Sequence, residues 1–170
     1  MEEEKTLLNA VLCFLVRNGQ VLLAQKTKRI GQGCWNGYGG GIESGESALA
    51  ATIRELREEA GISVLPQHLS KRAIVDFHNT KSDGQKFICR VHVFLVADWS
   101  GAITESEEMI SPTWFDLGNL PLDEMMPADK EWLPQVLAGK MILASAPLGP
   151  RQKELLGEVM IKEVDSLPEY

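Results

Sequence analysis

Apolar positions open the chain as two short runs, Ala10 to Val16 and Val21 to Ala24, separated by Arg17-Asn18-Gly19-Gln20. Asn-Gly between apolar runs predicts a tight β-hairpin, because both residues tolerate positive φ. A polar, glycine-containing loop from Thr27 to Cys34 follows, with Lys26, Lys28 and Arg29 in or beside it, and then a glycine-dense stretch from Trp35 to Gly41. The period then changes. Leu49, Ile53, Leu56 and Ala60 recur at spacings of four, three and four, one face of an α-helix, so a helix is expected from about Ser47 to Ala60. Gly61 stands where a left-handed C-cap is favoured.

Further along, 73–77 predicts a short strand, 79–85 a polar loop and 87–97 a long strand rich in β-branched and aromatic residues. Gly101 marks a turn, 105–109 an acidic loop and 113–115 another strand. A helix over 127–139 must start late or kink at Pro134. The runs 141–144 and 159–164 predict a closing strand pair. Strands outnumber helices and their order is mixed, so the expected class is α/β, a mixed β-sheet packed between helices. With no internal repeat and 170 residues, a single domain over 1–170 is expected.

Composition narrows the function. Seventeen Lys and Arg against 24 Asp and Glu leave a formal charge of −7, which disfavours a nucleic-acid polymer as partner. A small anionic substrate remains compatible where a divalent cation bridges the charges. Three cysteines, Cys13, Cys34 and Cys89, lack the close spacing of a zinc site and suit a reducing compartment. The acidic start Met1-Glu2-Glu3-Glu4-Lys5 has no signal-peptide core, and no apolar run approaches the ~20 residues of a membrane span. The expectation is a cytoplasmic, monomeric protein with no membrane partner.

The charged side of the helix carries the chemistry. On a helical wheel Glu55, Glu58 and Glu59 gather opposite the apolar arc, and Glu55 stacks directly under Glu59. Like charges at that spacing cost about 0.2–0.5 kcal/mol per pair on an exposed helix. A hard cation between them removes the repulsion. Mg²⁺ prefers oxygen ligands and takes one or two carboxylates together with substrate phosphates.

The full pattern is Gly40, five residues, Glu46, seven residues, then Arg54-Glu55-Leu56, any residue, Glu58-Glu59, any residue, Gly61-Ile62. From Gly40 to Ile62 this resembles the Nudix box of the Nudix hydrolases at every defined position. The resemblance implies a Nudix α/β/α sandwich whose loop–helix–loop binds Mg²⁺, or Mn²⁺, and positions a nucleoside diphosphate linked to another group. It makes Glu55, Glu58 and Glu59 metal ligands, with the Gly39 carbonyl and Glu108 completing the set, and Arg54 the residue that orients the carboxylates. Gly40, Glu46 and Gly61 shape the motif, and glycine lets the backbone come close to metal and phosphate. Glu55, Glu59 and Glu108 all stand as candidates for the base that takes a proton from the attacking water.

Segments outside the box are similar to the MutT-homologue branch, which hydrolyses oxidised purine triphosphates: Trp35-Asn36-Gly37-Tyr38-Gly39-Gly40, Glu105-Ser106-Glu107-Glu108-Met109, Trp114-Phe115, Met125-Met126-Pro127-Ala128-Asp129 and Ile161-Lys162-Glu163-Val164-Asp165. By that resemblance Lys26 approaches the phosphates, Asn36 and Asp129 bond the purine, and Tyr38, Gly40 and Met126 complete the substrate contacts. Three positions depart from the branch. Met126 replaces a stacking tryptophan, Ala128 replaces the first of two aspartates, and Ile30 replaces an aromatic residue. The implied function is Mg²⁺-dependent hydrolysis of a modified purine (deoxy)nucleoside triphosphate, oxidised or methylated, to monophosphate and pyrophosphate, in the manner of an 8-oxo-dGTP diphosphatase that cleanses the nucleotide pool. The alternatives are another nucleoside diphosphate derivative (a canonical or pyrimidine dNTP, a pterin triphosphate, a sugar-linked diphosphate) or a non-catalytic nucleotide-binding module.

Overall fold

The computed structural model describes Glu4 and residues 6–169; Met1 to Glu3 and Lys5, the rest of the acidic start, lie outside the described residues. Among the described residues the chain forms nine strands and two α-helices. Strands β1 (Asn9–Arg17) and β2 (Gln20–Lys26) make the expected hairpin, with Arg17 opposite Gln20. Asn18 and Gly19 at its tip have φ of 52° and 74°, so the turn matches the right-handed twist of its strands.

The glycine-dense stretch, for which no strand was expected, forms two: β3 (Trp35–Asn36) on β2, and β4 (Tyr38–Gly41) on β1. Glycine is required there by close approach, since a Cβ on Gly39 would strike the Val11 carbonyl of β1. The antiparallel strands β5 (Leu69–Thr80) and β6 (Lys86–Val96) are long. β5 overruns the expected 73–77 at both ends and takes in the first two residues of the expected loop, because its ladder to β6 continues to Thr80 opposite Lys86. Strand β7 (Met109–Asp116) pairs with β2, and β8 (Ile142–Pro147) pairs antiparallel with β9 (Met160–Glu163), as expected of the closing pair. β1 runs parallel to β6 and β5 parallel to β8, which makes the sheet mixed. Its order is β3-β2-β1-β6-β5-β8-β9, with β4 beside β1 and β7 beside β2.

The two helices cover opposite faces. Along β1, Val11, Cys13 and Leu15 join one core cluster with Leu56 and Ala60 of α1 (Ala48–Ala60). Ala10 and Phe14 join the other with Trp132, Leu133 and Val136 of α2 (Asp129–Leu137). That alternation is the strand period of two, and it delivers the expected α/β/α layering. Pro134 neither delays nor breaks α2, which runs through it and is only nine residues long. The loss is a single backbone hydrogen bond.

Helix α1 is capped as its sequence dictates. Ser47 Oγ accepts from the Ala50 N–H at 3.0 Å, and Gly61 closes the other end at φ 70°. Its orientation differs from the wheel. The buried positions are Ala51, Thr52, Glu55, Leu56, Glu59 and Ala60, while Leu49 and Ile53 are only partly covered. The helix lies against β4, a strand that after Tyr38 has no side chains, and it rolls towards that gap. Glu55 and Glu59, expected on the solvent side, are turned inward.

Candidate functional site

The inward roll of α1 brings its carboxylates onto the glycine strand. The Gly39 N–H donates to Glu59 Oε1 at 2.8 Å, and a Cβ on Gly40 would run into the Glu55 carboxylate. Arg54 ties the loop before the helix to the same group. Its Nε and Nη2 donate to the two Glu46 oxygens at 2.8 and 2.9 Å, and Nη2 also donates to the Gly41 carbonyl at 3.0 Å. Nη1 donates to Glu55 Oε1 at 2.9 Å and reaches Glu58 at 3.4 Å. A planar guanidinium is suited to this because its donors form a fixed fork. Glu58 itself stays on the solvent side of the helix, its side chain 59% exposed.

Burial dominates the electrostatics of the pair. It pushes the Glu59 carboxyl up to about 8 against the opposing Gly39 N–H, and Glu55 and Glu108 push in the same direction as burial. Glu55 is raised too, chiefly by burial and in spite of Arg54. Lys26 is held below its ordinary value by burial, while Glu59 and Glu108 pull it back up. The buried carboxyls of Glu55 and Glu59 thus share a poorly solvated corner with Lys26, and the exposed Glu108 adds negative charge at its edge.

That corner opens into a cavity of about 580 Å³, within the size range of ligand pockets. Glu59, Gly39, Gly40, Lys26 and Glu108 line it at this end. Glu108 reaches the site from the acidic loop before β7. The loop is pinned to the one after β2: Thr27 N–H donates to the Glu108 carbonyl at 3.0 Å, Thr27 Oγ1 to the Glu107 carbonyl at 2.5 Å, and Lys28 Nζ lies 3.9 Å from the Glu108 carboxylate. Lys28 and Arg29 also line the cavity. They were not among the expected contacts, and their only sequence signal was a cluster of basic residues in a glycine-containing loop.

Asn36, Met126, Ala128 and Asp129 line the same cavity. Asn36 Oδ1 accepts from the Gly37 N–H at 2.8 Å, so turn chemistry fixes the carboxamide and its Nδ2 donors remain for a ligand. Asp129 is 3% exposed and its Oδ2 makes no hydrogen bond. Burial pushes its carboxyl up to about 7, against the Met126 backbone and the Trp132 indole, which pull it down. A buried unpaired oxygen is costly, and one on a cavity wall is a natural partner for a ligand. Met126 Sδ packs against Gly31, which has φ 84°, and Ile30 lies on the wall where an aromatic residue was expected to be replaced.

One expected contact is corrected. Tyr38 is 1% exposed and packs in the core cluster beneath α1, away from the cavity lining. As the first residue of β4 it points to the opposite face from the cavity, and burial raises its phenol. The structure also adds a far wall that no motif announced: Phe77, Phe87 and Cys89 from β5 and β6, with Asn79, Arg151 and Gln152 at its end.

Among the described residues no three His, Cys, Asp or Glu side chains gather into a ready-made metal cage, and no helix is long and apolar enough to cross a membrane.

A family profile described as NUDIX domain matches residues 6–136. The chain is 36% identical over 132 residues to the oxidized purine nucleoside triphosphate hydrolase of Danio rerio, covering 78% of this chain and 81% of that protein. It is 32% identical over 155 residues to the protein of the same name from Mus musculus, covering 91% and 94%. In three dimensions it is similar to the crystal structure of a MutT protein from Bacillus halodurans, with a TM-score of 0.75 and 26% identity over 91% of this chain and 97% of that one.

Proposed function

This chain belongs to the NUDIX domain family, and from that premise we propose that it is a hydrolase of modified purine nucleoside triphosphates, releasing the nucleoside monophosphate and pyrophosphate. One observation carries the reading: a single cavity is lined by the buried acid of α1, Glu59, and by Asn36 and Asp129. A nucleotide needs that pairing, with charge chemistry for the polyphosphate and directional hydrogen bonds for the base. The relatives named above act on oxidised purine nucleoside triphosphates by name, and they set the substrate class.

The residues fit a hard divalent cation, Mg²⁺ with Mn²⁺ as a substitute. Every donor is an oxygen, from Glu55, Glu58, Glu59, Glu108 and the Gly39 carbonyl. Burial and mutual repulsion disfavour the charged form of Glu59, and a cation relieves that penalty. When bound, such an ion neutralises phosphate charge and acidifies a water.

The chain's own groups do the rest. Arg54 holds Glu55 in one orientation, and the Gly39 N–H holds Glu59. Lys26, Lys28 and Arg29 line the route that a polyphosphate takes. Glu59, which lines the cavity and is held by the Gly39 N–H, is the favoured general base of the three expected candidates. At the base end the Asn36 Nδ2 donates, while Asp129 with a pKa of about 7 switches between donor and acceptor.

The test is a panel of 8-oxo-dGTP, N6-methyl-dATP, dGTP, dATP and CTP assayed for pyrophosphate against phosphate release. Highest kcat/KM on a modified purine, with pyrophosphate as product, upholds the reading. Preference for CTP or phosphate release would replace the substrate class, and binding without turnover would make the protein a nucleotide-binding module.

A further inference from the structure

Two loops meet at the edge of the acidic corner, and main-chain bonds sew them together. The β2–β7 ladder ends with Gln25 opposite Ile110 and Lys26 opposite Met109. Beyond it the Thr27 N–H still donates to the Glu108 carbonyl at 3.0 Å, and Thr27 Oγ1 donates to the Glu107 carbonyl. The loop after β2 is held in turn by its own bonds. Gly33 N–H donates to the Lys26 carbonyl at 2.8 Å, and Cys34 N–H to the Gly31 carbonyl at 2.8 Å. The backbones of Lys28 and Glu108 are therefore fixed near each other, and only their side chains are left to change partners.

Those side chains form an ion pair. Lys28 Nζ lies 3.9 Å from Glu108 Oε1, with side-chain exposures of 46% and 48%. A pair so exposed contributes little to stability, and little is lost when it opens. Both residues line the cavity together with Glu59, Gly39 and Lys26. Glu108 is thus claimed twice, by Lys28 and by the cation site proposed above. Lysine suits a group that changes partners, since its charge is a point at the end of a flexible aliphatic stem.

We propose that Lys28 is an exchange residue: it pairs with Glu108 until a divalent cation takes that carboxylate, and then turns its ammonium to the polyphosphate. The consequence is coupling between the two ligands. A cation at Glu108 releases Lys28 for the phosphates, and a phosphate that captures Lys28 clears Glu108 for the cation, so each tightens the other by the same factor. The inference rests on the cation and polyphosphate sites of the hydrolase reading and is independent of the base.

Binding without turnover tests the exchange. Mn²⁺ bound to the wild type, Lys28→Gln and Lys28→Arg is measured by equilibrium dialysis, alone and with methylenediphosphonate, a pyrophosphate analogue that resists hydrolysis and carries no base. Complexation of Mn²⁺ by the free analogue is common to all three proteins and cancels in the comparison. Without the analogue, Lys28→Gln is expected to bind Mn²⁺ about fivefold more tightly than the wild type. Lys28→Arg keeps the charge and grips a carboxylate with its fork, so it is expected to bind Mn²⁺ no more tightly than the wild type. With the analogue present, the gain in Lys28→Gln is expected to vanish. Calorimetry reads the same coupling from the other side: saturating Mn²⁺ is expected to raise affinity for the analogue about fivefold less in Lys28→Gln than in the wild type.

A gain of equal size with and without the analogue would make Lys28 a fixed charge beside the cation and overturn the exchange. Unchanged Mn²⁺ affinity in Lys28→Gln, or no binding of the analogue in the presence of Mn²⁺, would overturn it as well. Pyrophosphate release from 8-oxo-dGTP by the wild type separates the two readings. Release without the coupling removes the exchange alone, and coupling without release removes the hydrolase reading alone.

Discussion

The Gly39 N–H donates to Glu59 Oε1 at 2.8 Å, across twenty residues of sequence. One bond therefore fixes the distance between the glycine strand and the helix that rolls onto it, and it aims the most strongly perturbed carboxyl of the corner into the cavity. Glu59→Gln keeps an acceptor for that bond and removes the proton acceptor. Turnover is expected to fall by about 10²–10⁴-fold with the melting temperature of the metal-free protein unchanged or raised. Steady-state kinetics and thermal unfolding check both halves.

Gly40→Ala places a methyl group against the Glu55 carboxylate. The carboxylate must move or the helix must back away, and a displacement near 1 Å is enough to cost about 10²-fold in rate. The expected result is a large loss in kcat with a smaller change in thermal stability. A stability loss that accounts for the whole effect by unfolding would show that the contact is structural only.

Arg54→Lys retains the charge and loses the fork. A single ammonium cannot serve Glu46, Glu55 and the Gly41 carbonyl together. kcat is expected to drop at least about tenfold while KM for the nucleotide changes little, because Arg54 is outside the cavity lining. A change confined to KM would argue against an orienting role.

The pH behaviour of Asp129 has a definite sign. Its folded pKa of about 7 lies above the usual 3.8. Between those values the folded state retains a proton that the unfolded state has released, so stability declines as pH rises from about 4 to about 7 and levels off above. Asp129→Asn is expected to flatten that part of the stability curve relative to the wild type. It should also shift the ranking of bases by kcat/KM across pH 6 to 8, because the wild-type carboxyl donates a hydrogen bond below its pKa and only accepts above it.

Chelation with EDTA is expected to abolish hydrolysis, and Mg²⁺ to restore it. The added ion raises the melting temperature by binding only the folded state. In Glu59→Gln that increment should shrink. An unchanged increment would place the cation elsewhere.

Much of this is legible in the sequence. The Asn18-Gly19 hairpin, the Ser47 and Gly61 caps and the spacing of the glutamates are local signals, and local chemistry decides them. The orientation of α1 was not legible, because the wheel ranks residues by polarity while the docking surface is a strand of glycines. Ala51 and Thr52 go inward there, and Glu55 and Glu59 go with them. Tyr38 was misplaced because Gly39 and Gly40 beside it reach the cavity by backbone alone, whereas its ring packs in the core beneath α1. Arg151 and Gln152 carried no signal at all. Their place depends on where β8 ends and on the Asn79 side chain across the sheet.

Strand β1 lies between two kinds of work. Its odd-numbered residues from 11 to 15 support the helix that bears the acids, and Ala10 and Phe14 belong to the layer beneath the cavity floor and α2. Inheritance can therefore alter the two sides separately. Exchanges among the residues of the α2 side, or at Ile30, Met126 and Ala128 on the cavity wall, can reshape the pocket without disturbing the packing under the acids of α1.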